Sequence, residues 1–330
     1  MERDVWVLGR IGYDLHAVER DRPLPEVEHF SRHVGGSSAN ITVGLSRLGL
    51  KVGIISAVGD DLLADYLIGF LGDEGVDTRF VRRVAGYSTS LCLTEVSLRH
   101  GFRQVFYRQR PADSQVTAGE EEMVAIRAAQ MFVTNGTSLA ESPSREATLA
   151  ALRQAHDHGV RTVFDMDYRD SSWPGAEDAG QAARAALASV DVVLANETEL
   201  QILAGPGERR DQVRRVLDTG ASLVVCKLGE RGVEAHTREQ VVFAAPQEVQ
   251  VVSTIGAGDG FAAGFLYALG QNRNLEEALW YGNAAAAIVV SRVSCSDAMP
   301  YRAELEKRCA ETLPAGVVNR GVGGAVSQTD

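Results

Sequence analysis

The sequence predicts an α/β protein in which helices flank a mostly parallel central sheet and a small β-strand lid covers one edge. Short apolar runs alternate with stretches of helical periodicity through most of the chain, as in parallel strands joined by crossover helices. A hairpin pattern over residues 86–110 interrupts this alternation. Glycine is in excess, with 33 residues in 330 against a usual ~7%. This excess predicts turns in which the backbone closely approaches another group.

The elements follow from local patterns. Short, mostly apolar runs predict strands at 5–8, 52–58, 131–134, 162–166, 190–194, 223–227 and 233–236. Apolar residues repeated every three or four positions predict helices at 38–48, 60–72, 144–158, 176–188, 260–269 and 275–290.

Two segments are assigned to the lid. Residues 12–33 have no helical period, and within residues 86–110 the runs 88–98 and 103–108 flank a His100-Gly101 turn. From the pattern alone, a surface loop without a function is as good an interpretation of the hairpin segment as a lid. We expect residues 1–314 to form one α/β core carrying this lid, and the Gly- and Val-rich residues 315–330 to be a disordered tail.

The charge balance argues against nucleic acid and membrane partners. The formal net charge is −11, and no run of Lys or Arg is longer than two, whereas phosphate backbones require a basic face. No window approaches the ~18 apolar residues of a membrane span.

The cysteines favour a reducing compartment. Cys92, Cys226, Cys295 and Cys309 are scattered, without a CxxC pair or a metal-ligand spacing. The N-terminus is too acidic, and its apolar run too short, for a signal peptide. We therefore expect a cytoplasmic protein.

The strongest motif is VVSTIGAGDGF at 251–261, where an apolar strand is expected to enter a glycine-rich turn and then a helix. Helix N-termini present unpaired amides and a positive dipole end, which together bind anions. Asp259 beside this turn is either a simple N-cap or a general base for an attacking hydroxyl. No Walker lysine follows, so the motif is not a P-loop.

A second motif, HVGGSSAN at 33–40, leads into another predicted helix. Turn chemistry and capping by Ser37 or Ser38 can explain it without any function. Asn40, however, falls in the first helical turn, where its amide can donate to and accept from a polyol.

Together the two motifs, about 220 residues apart and in this order, resemble those of the PfkB (ribokinase-like) family of carbohydrate kinases over residues 4–313. The resemblance implies a ribokinase-like fold and ATP-dependent phosphorylation of a sugar hydroxyl with Mg²⁺. It implies that Asp259 is the catalytic base and that Gly256, Ala257 and Gly258 form the anion hole. It also implies substrate contacts by Asp14, Gly36 and Asn40.

The same resemblance assigns residues to the nucleotide and metal. Asn196 and Glu199 match a motif associated with magnesium and phosphate, Lys227, Gly229 and Gly232 match the nucleotide-side loop, and Asn283 matches a position near the adenine. In isolation, a capping box explains Asn196 and Glu199, and Lys227 can simply extend to solvent. Their placement at strand carboxyl ends favours the ligand interpretation.

Two arginines indicate the substrate class. Arg108 ends the FYR segment of the lid and Arg169 ends the DMDYR segment after a core strand. Each alone is most simply a surface charge, but two arginines facing one cleft suit a carboxylate. These segments resemble those of kinases for the sugar acids 5-dehydro-2-deoxygluconate and 2-keto-3-deoxygluconate. A neutral-sugar kinase of the fructose or ribose type remains the alternative.

One residue departs from the family pattern. Ser253 stands where an aspartate usually accompanies a monovalent-cation loop. Because serine lacks that charge, the resemblance does not carry potassium dependence over to this chain.

Two rival functions are weaker. A non-catalytic sugar or nucleotide sensor would be expected to lack Asp259 or the GxG, and both are present. A nicotinamide enzyme would need GxGxxG after the first strand, where Gly9-Arg10-Ile11-Gly12 stands instead. An exposed lid edge would be covered by a second subunit, so we also expect a homodimer.

Overall fold

The computed structural model describes residues 3–97, 101–311 and 317–321, which form two sheets with helices on both faces of the larger one. The strands are β1 (Val5–Leu8), β2 (Gly12–Ala17), β3 (Phe30–Gly35), β4 (Val52–Gly59), β5 (Asp77–Val84), β6 (Ser90–Thr94), β7 (Gln104–Tyr107), β8 (Met131–Asn135), β9 (Arg161–Asp165), β10 (Val192–Asn196), β11 (Leu223–Lys227), β12 (Val233–His236), β13 (Gln240–Ala244) and β14 (Val317–Gly321). The helices are α1 (Ser37–Arg47), α2 (Leu62–Asp73), α3 (Glu120–Arg127), α4 (Ser144–Asp157), α5 (Ala176–Ala186), α6 (Glu197–Ala204), α7 (Arg209–Leu217), α8 (Ala257–Gly270), α9 (Leu275–Val290) and α10 (Arg302–Glu311).

The large sheet has the order β14-β13-β12-β11-β10-β9-β8-β1-β4-β5. The strands from β11 to β5 are parallel, and β12 to β14 extend one edge as an antiparallel ribbon. The chain passes from β1 to β4 on one side and later returns to β8 on the other. Open α/β sheets bind ligands at the carboxyl ends of strands beside such a reversal.

Alternating side chains on the strands supply the two larger of the three hydrophobic clusters that the described residues form. Trp6 and Leu8 of β1 pack with α3 to α7 on one face, whereas Val5 and Val7 pack with α1, α8, α9 and α10 on the other. A strand buried on both faces must be apolar at every position, and β1 is. The confirmed α/β class therefore follows from runs that the sequence shows directly.

Helices α1 and α8 pack closely at Gly44. A Cβ at this position would lie 2.6 Å from the Cβ of Ala263, so even a methyl group requires the helices to shift. One helical turn before these residues lie Asn40 in α1 and Asp259 in α8. The small residue thus brings the first turns of the two helices into contact.

The small sheet has the order β3-β2-β6-β7. Its central pair, β2 and β6, is parallel, and the two outer pairs are antiparallel. It arises from the segments assigned to the lid. Side chains of β7 line the same cleft as residues that follow β1, β9 and β10, so the small sheet forms a wall of that cleft.

Several elements differ from the prediction. The charged edge strand β5 and the polar helices α3, α7 and α10 were missed, because exposed elements lack a strong apolar pattern. The disordered tail is wrong for Val317–Gly321, which pairs with β13; residues 322–330 lie outside the described ranges. The apolar residues at the start of the 251–261 motif do not form the expected strand. The amides of Val252 and Ser253 donate to the Val290 carbonyl at the end of α9 and not to a neighbouring strand.

No helix in the described part of the chain is long and apolar enough to span a bilayer.

We predict that Gly44→Ala lowers the free energy of unfolding by about 1–3 kcal/mol, because the added methyl overpacks the α1–α8 contact. Gly69→Ala is the matched control: Gly69 lies on the exposed face of α2, with nothing within 4 Å of its Cβ position. That variant should be neutral or more stable by up to ~1 kcal/mol. Denaturant unfolding of both measures the difference, and equal stabilities would contradict the close packing.

Candidate active site

A cleft of about 660 Å³ lies at the carboxyl ends of the parallel strands, between the first turns of α1 and α8 and the lid strand β7. It brings together most of the predicted site residues: Asp14, Gly36, Asn40, Arg169, Asn196, Glu199, Lys227, Gly229, Gly256, Gly258 and Asp259. Ala257 lies between two of them, at the first position of α8.

The N-terminus of α8 opens into this cleft. Gly256 is the N-cap with φ +77°, a left-handed conformation that favours glycine, so the helix begins at Ala257, three residues earlier than predicted. The first amides of a helix have no carbonyl partner within it, and the dipole adds positive potential there. The turn therefore offers the anion site that the motif predicts.

Asp259 lies inside the first turn of α8 and is not its N-cap, so the capping interpretation is wrong. Its Oδ1 accepts a hydrogen bond from Ser37 Oγ at 2.7 Å, and its Oδ2 accepts one from Asn40 Nδ2 at 2.7 Å. Asn40 Oδ1 in turn accepts from Ser296 Oγ. The carboxylate is thus oriented by α1 while lining the cleft. Ser37 does not act as an N-cap either, because Gly36 holds that position.

Lys227, at the end of β11, lies beside the same turn. Its Nζ is 2.9 Å from Asp165 Oδ1 and 4.0 Å from Glu199 Oε2, and a Cβ on Gly258 would lie 3.6 Å from it. Burial by itself would lower the pKa of Lys227, but the carboxylates of Asp165 and Glu199 raise that pKa above its usual value. The ammonium is therefore charged next to the α8 N-terminus.

Asn196 and Glu199 form a capping box and also line the cleft. The Asn196 side chain accepts from the Glu199 amide at 2.9 Å, and Glu199 Oε2 accepts from the Asn196 amide at 2.7 Å. Glu199 Oε1 accepts from the Tyr168 amide. Asn196 and Glu199 therefore cap α6, as the sequence motif alone would explain, and both side chains also lie at the cleft surface.

Asp14 is buried in β2 at the lid side of the cleft. A Cβ on Gly35 would lie 2.0 Å from Asp14 Oδ2, so only glycine fits there. Burial raises the pKa of Asp14 to about 6, although the charge of Arg10 opposes the rise. Asp14 Oδ1 is buried without a hydrogen-bond partner in the described structure. Buried acceptors are normally paired, so this atom indicates that a ligand donates a hydrogen bond to it.

Acidic groups outnumber basic ones in the cleft. The lining carboxylates are Asp14, Asp165, Asp167, Glu199 and Asp259, and the lining bases are Arg10, Arg169 and Lys227. Burial raises the pKa values of Asp165 and Asp167 above their usual range as well, although the charges of Lys227 and Arg169 oppose the rise. Carboxylate oxygens are the ligands that Mg²⁺ prefers. The carboxylates of the cleft therefore suit a divalent cation.

A group of potential metal ligands lies at the lid side, where side-chain atoms of Asp14, His16 and Cys295 are within 4.8 Å of one another. Burial raises the pKa of the Cys295 thiol well above its usual value. A protonated thiol is a poor metal ligand, so we interpret the group as cleft wall.

Of the two predicted carboxylate-binding arginines, Arg108 is not brought to the cleft. Its guanidinium pairs with the buried Asp113 at 2.7 Å and donates to Ser90 Oγ, because the chain turns back after β7 and brings that carboxylate, five residues later, against it. Arg169 does line the cleft, but its Nη2 is 2.9 Å from Asp167 Oδ1.

Two residues predicted to contact the nucleotide make contacts with the backbone. Asn283 Nδ2 donates to the carbonyls of Ala244 and Ala245, and a Cβ on Gly232 would lie 2.4 Å from the Ala244 carbonyl oxygen. Neither is among the residues that line the cleft in the described structure. Both residues therefore lie against the backbone where β13 ends.

Several lining residues were missed. Asp165 and Asp167 follow β9 and Arg10 follows β1, so the rule that ligand-binding residues follow parallel strands could have found them. Ser37 was considered only as a cap, since nothing in the sequence shows that α8 lies opposite it.

Comparison with known proteins agrees with this geometry. The model of the pfkB family of carbohydrate kinases matches residues 2–302. Over 90% of its length the chain is 38% identical to 5-dehydro-2-deoxygluconokinase of Lacticaseibacillus casei, of which it covers 92%. It is 36% identical to the protein of the same name from Bacillus subtilis, with coverage of 92% and 95%.

Solved structures share the fold. A fructokinase with bound ATP from Xylella fastidiosa superimposes with a TM-score of 0.83 at 25% identity, covering 94% of this chain and 99% of its own. Aminoimidazole riboside kinase from Salmonella enterica, solved with its riboside and an ATP analogue, gives 0.78 at 25% identity, with coverage of 92% and 99%. These likenesses confirm the predicted ribokinase-like fold. Since the family model spans nearly all of the α/β core, the chain belongs to the pfkB family of carbohydrate kinases.

Proposed function

We propose that the protein transfers the γ-phosphoryl group of ATP to a hydroxyl of a sugar acid, with 5-dehydro-2-deoxygluconate as its substrate. The observation that carries this proposal is the position of Asp259, an oriented carboxylate within the anion-binding turn of α8. A base beside an anion site is what phosphoryl transfer to a hydroxyl requires. The relatives named 5-dehydro-2-deoxygluconokinase supply the substrate.

In the proposed reaction, Asp259 accepts the proton of the attacking hydroxyl while that oxygen bonds to the γ-phosphorus and the bond to the β-phosphate bridging oxygen breaks. The amides of Gly256, Ala257 and Gly258 would hold the equatorial phosphoryl oxygens, with the Ala257 amide exchanging its 3.3 Å hydrogen bond to the Thr254 carbonyl for the phosphate, and Lys227 would add positive charge beside them. Ser37 and Asn40 keep the carboxylate aimed at the hydroxyl.

ATP would lie across the strand ends from β9 to β11, with its γ-phosphate at the α8 turn. Magnesium would be held near Glu199 and Asn196, where carboxylate and amide oxygens line the cleft. The ion would neutralise part of the phosphate charge, because the carboxylates that line the cleft outnumber the bases. Gly229 would border the nucleotide.

The sugar would lie between the α8 turn and the lid, in contact with Asp14, Gly36 and Asn40. Asp14 Oδ1 is free to accept from a hydroxyl. The lid wall formed by β7 would exclude the water that otherwise hydrolyses ATP. The alternatives are 2-keto-3-deoxygluconate and a neutral sugar of the fructose or ribose type.

The direct test is ATP turnover, measured by coupled ADP release with a panel of sugars and sugar acids. The proposal expects kcat/KM to be highest for 5-dehydro-2-deoxygluconate. A neutral sugar turned over more efficiently than every acid would contradict it.

We expect Asp259→Asn to lower kcat by about 10²- to 10⁴-fold, since the amide cannot accept the proton. Substrate binding should persist, because asparagine retains the shape and one acceptor of the aspartate. Single-turnover kinetics and calorimetric ATP binding separate these effects. Asp73→Asn, at an exposed carboxylate ending α2, is the charge-matched control. A variant with near-full kcat would overturn the base assignment.

Asp14→Asn should weaken sugar binding yet stabilise the ligand-free protein by about 2–3 kcal/mol at pH 7.5. The folded-state pKa of Asp14 is raised from 3.8 to about 6, so above pH 6 the wild type carries the full cost of a buried charge. As the pH falls from 6 toward 4, the folded carboxyl takes up its proton first and the cost disappears. Denaturation at pH 7.5 and 5 measures this change, and a difference that does not shrink would contradict it.

We also propose a homodimer that pairs through the small sheet. Support comes from the edge strand β7, on which Val105 and Tyr107 are exposed. Light scattering should give twice the chain mass, and Val105→Lys should reduce that mass by placing like charges in the contact. A monomeric wild type at micromolar concentration would contradict this proposal.

A further inference from the structure

Arg10 lies two residues after the end of β1, at the point where the strand order of the large sheet reverses. The residue is only 8% exposed and lines the cleft. Its Nη1 is buried and has no hydrogen-bond partner in the described structure. Buried guanidinium groups are costly unless they are paired, so this atom indicates an absent anionic partner.

The other two bases of the cleft are already paired. Arg169 Nη2 is 2.9 Å from Asp167 Oδ1, and Lys227 Nζ is 2.9 Å from Asp165 Oδ1. Among the residues that line the described cleft, Arg10 is the one base for which the structure shows no ion pair. An anionic group on a ligand would therefore displace no internal partner at Arg10.

Arg10 also lies beside the second unsatisfied group of the cleft. The position of a Cβ on Gly12 is 2.8 Å from Arg10 Nη1 and 3.6 Å from Asp14 Oδ1. One atom is a donor and the other an acceptor, and neither has a partner. A carboxylate with a hydroxyl a few bonds away would satisfy both.

The guanidinium is held in place by the lid. Its central carbon lies 5.7 Å from the centre of the Phe106 ring in β7, a cation–π contact that does not consume N–H donors. The Arg10 carbonyl oxygen would be 2.5 Å from a Cβ on Gly36, so the backbone is fixed against the first turn of α1. The guanidinium group of Arg10 is thus oriented before a ligand binds, which reduces the conformational entropy lost on binding.

We propose that Arg10 binds the carboxylate of the sugar acid and, with Asp14, makes the lid end of the cleft a subsite for a hydroxy acid. This inference rests on the proposed function. Arg10 takes the role that the sequence analysis gave to Arg108, whose charge is taken up by Asp113. The carboxylate would then lie at the opposite end of the substrate from the hydroxyl at Asp259.

The test compares wild type, Arg10→Met and Arg10→Lys on two substrates: the sugar acid, and the analogue with a primary alcohol in place of its carboxylate. Loss of a charge-assisted contact predicts that Arg10→Met raises KM for the acid about 10- to 100-fold, with a much smaller change in kcat. KM for the alcohol should stay the same or fall, and lysine should restore part of the affinity for the acid.

Arg32→Met is the matched control, because Arg32 also stacks on an aromatic ring, that of Tyr66, but lies outside the residues that line the described cleft. Equal losses for acid and alcohol, or an unchanged KM for the acid, would overturn the role of Arg10. A wild type that phosphorylates no sugar acid would instead overturn the proposed function, so the two failures are distinguishable.

Discussion

The contact between α1 and the first turn of α8 is the constraint on which the site depends. Asp259 accepts hydrogen bonds of 2.7 Å from both Ser37 and Asn40, although 219 residues separate Asn40 from it. The contact exists because Gly44 lets the helices approach one turn further along. The two glycine-rich motifs are therefore halves of one structure: one supplies the anion-binding turn and its carboxylate, and the other fixes the direction of that carboxylate.

The second constraint is electrostatic. The cleft gathers more carboxylates than bases, and burial raises the pKa values of Asp14, Asp165 and Asp167 above their usual range. Asp165 and Asp167 are paired with Lys227 and Arg169, but Asp14 costs stability in the empty protein, since it is charged at neutral pH without full hydration or an ion pair. Bound ligands would remove this cost. Substrate hydroxyls would donate hydrogen bonds to Asp14, and the cation bound with the nucleotide would neutralise nearby carboxylates. The net charge of −11 therefore does not exclude an anionic substrate, because placed amides and a few bases decide what binds.

The sequence predicted the fold class and most of the cleft, and the failures have physical causes. Buried strands such as β10 and β11 are apolar up to their last residue, so Asn196 and Lys227, which end them, could be located. Arg108 and Arg10 could not be ranked from sequence, because the choice depends on which of them is paired with a buried carboxylate, as Arg108 is with Asp113. Nor could the sequence show that the Asn283 amide donates to the carbonyl of Ala245, directly after β13. Charged elements such as β5 lack the apolar period that prediction needs.

The most direct test of the account is a crystal structure with a non-hydrolysable ATP analogue, Mg²⁺ and 5-dehydro-2-deoxygluconate. The account predicts γ-phosphate oxygens on the amides of Gly256 to Gly258, and the reacting hydroxyl within ~2.6–3.2 Å of Asp259, in line with the phosphorus. It also predicts that Ser37 and Asn40 still hold the carboxylate. A γ-phosphate bound away from the α8 turn, or a sugar whose hydroxyls all lie beyond hydrogen-bonding distance of Asp259, would contradict it.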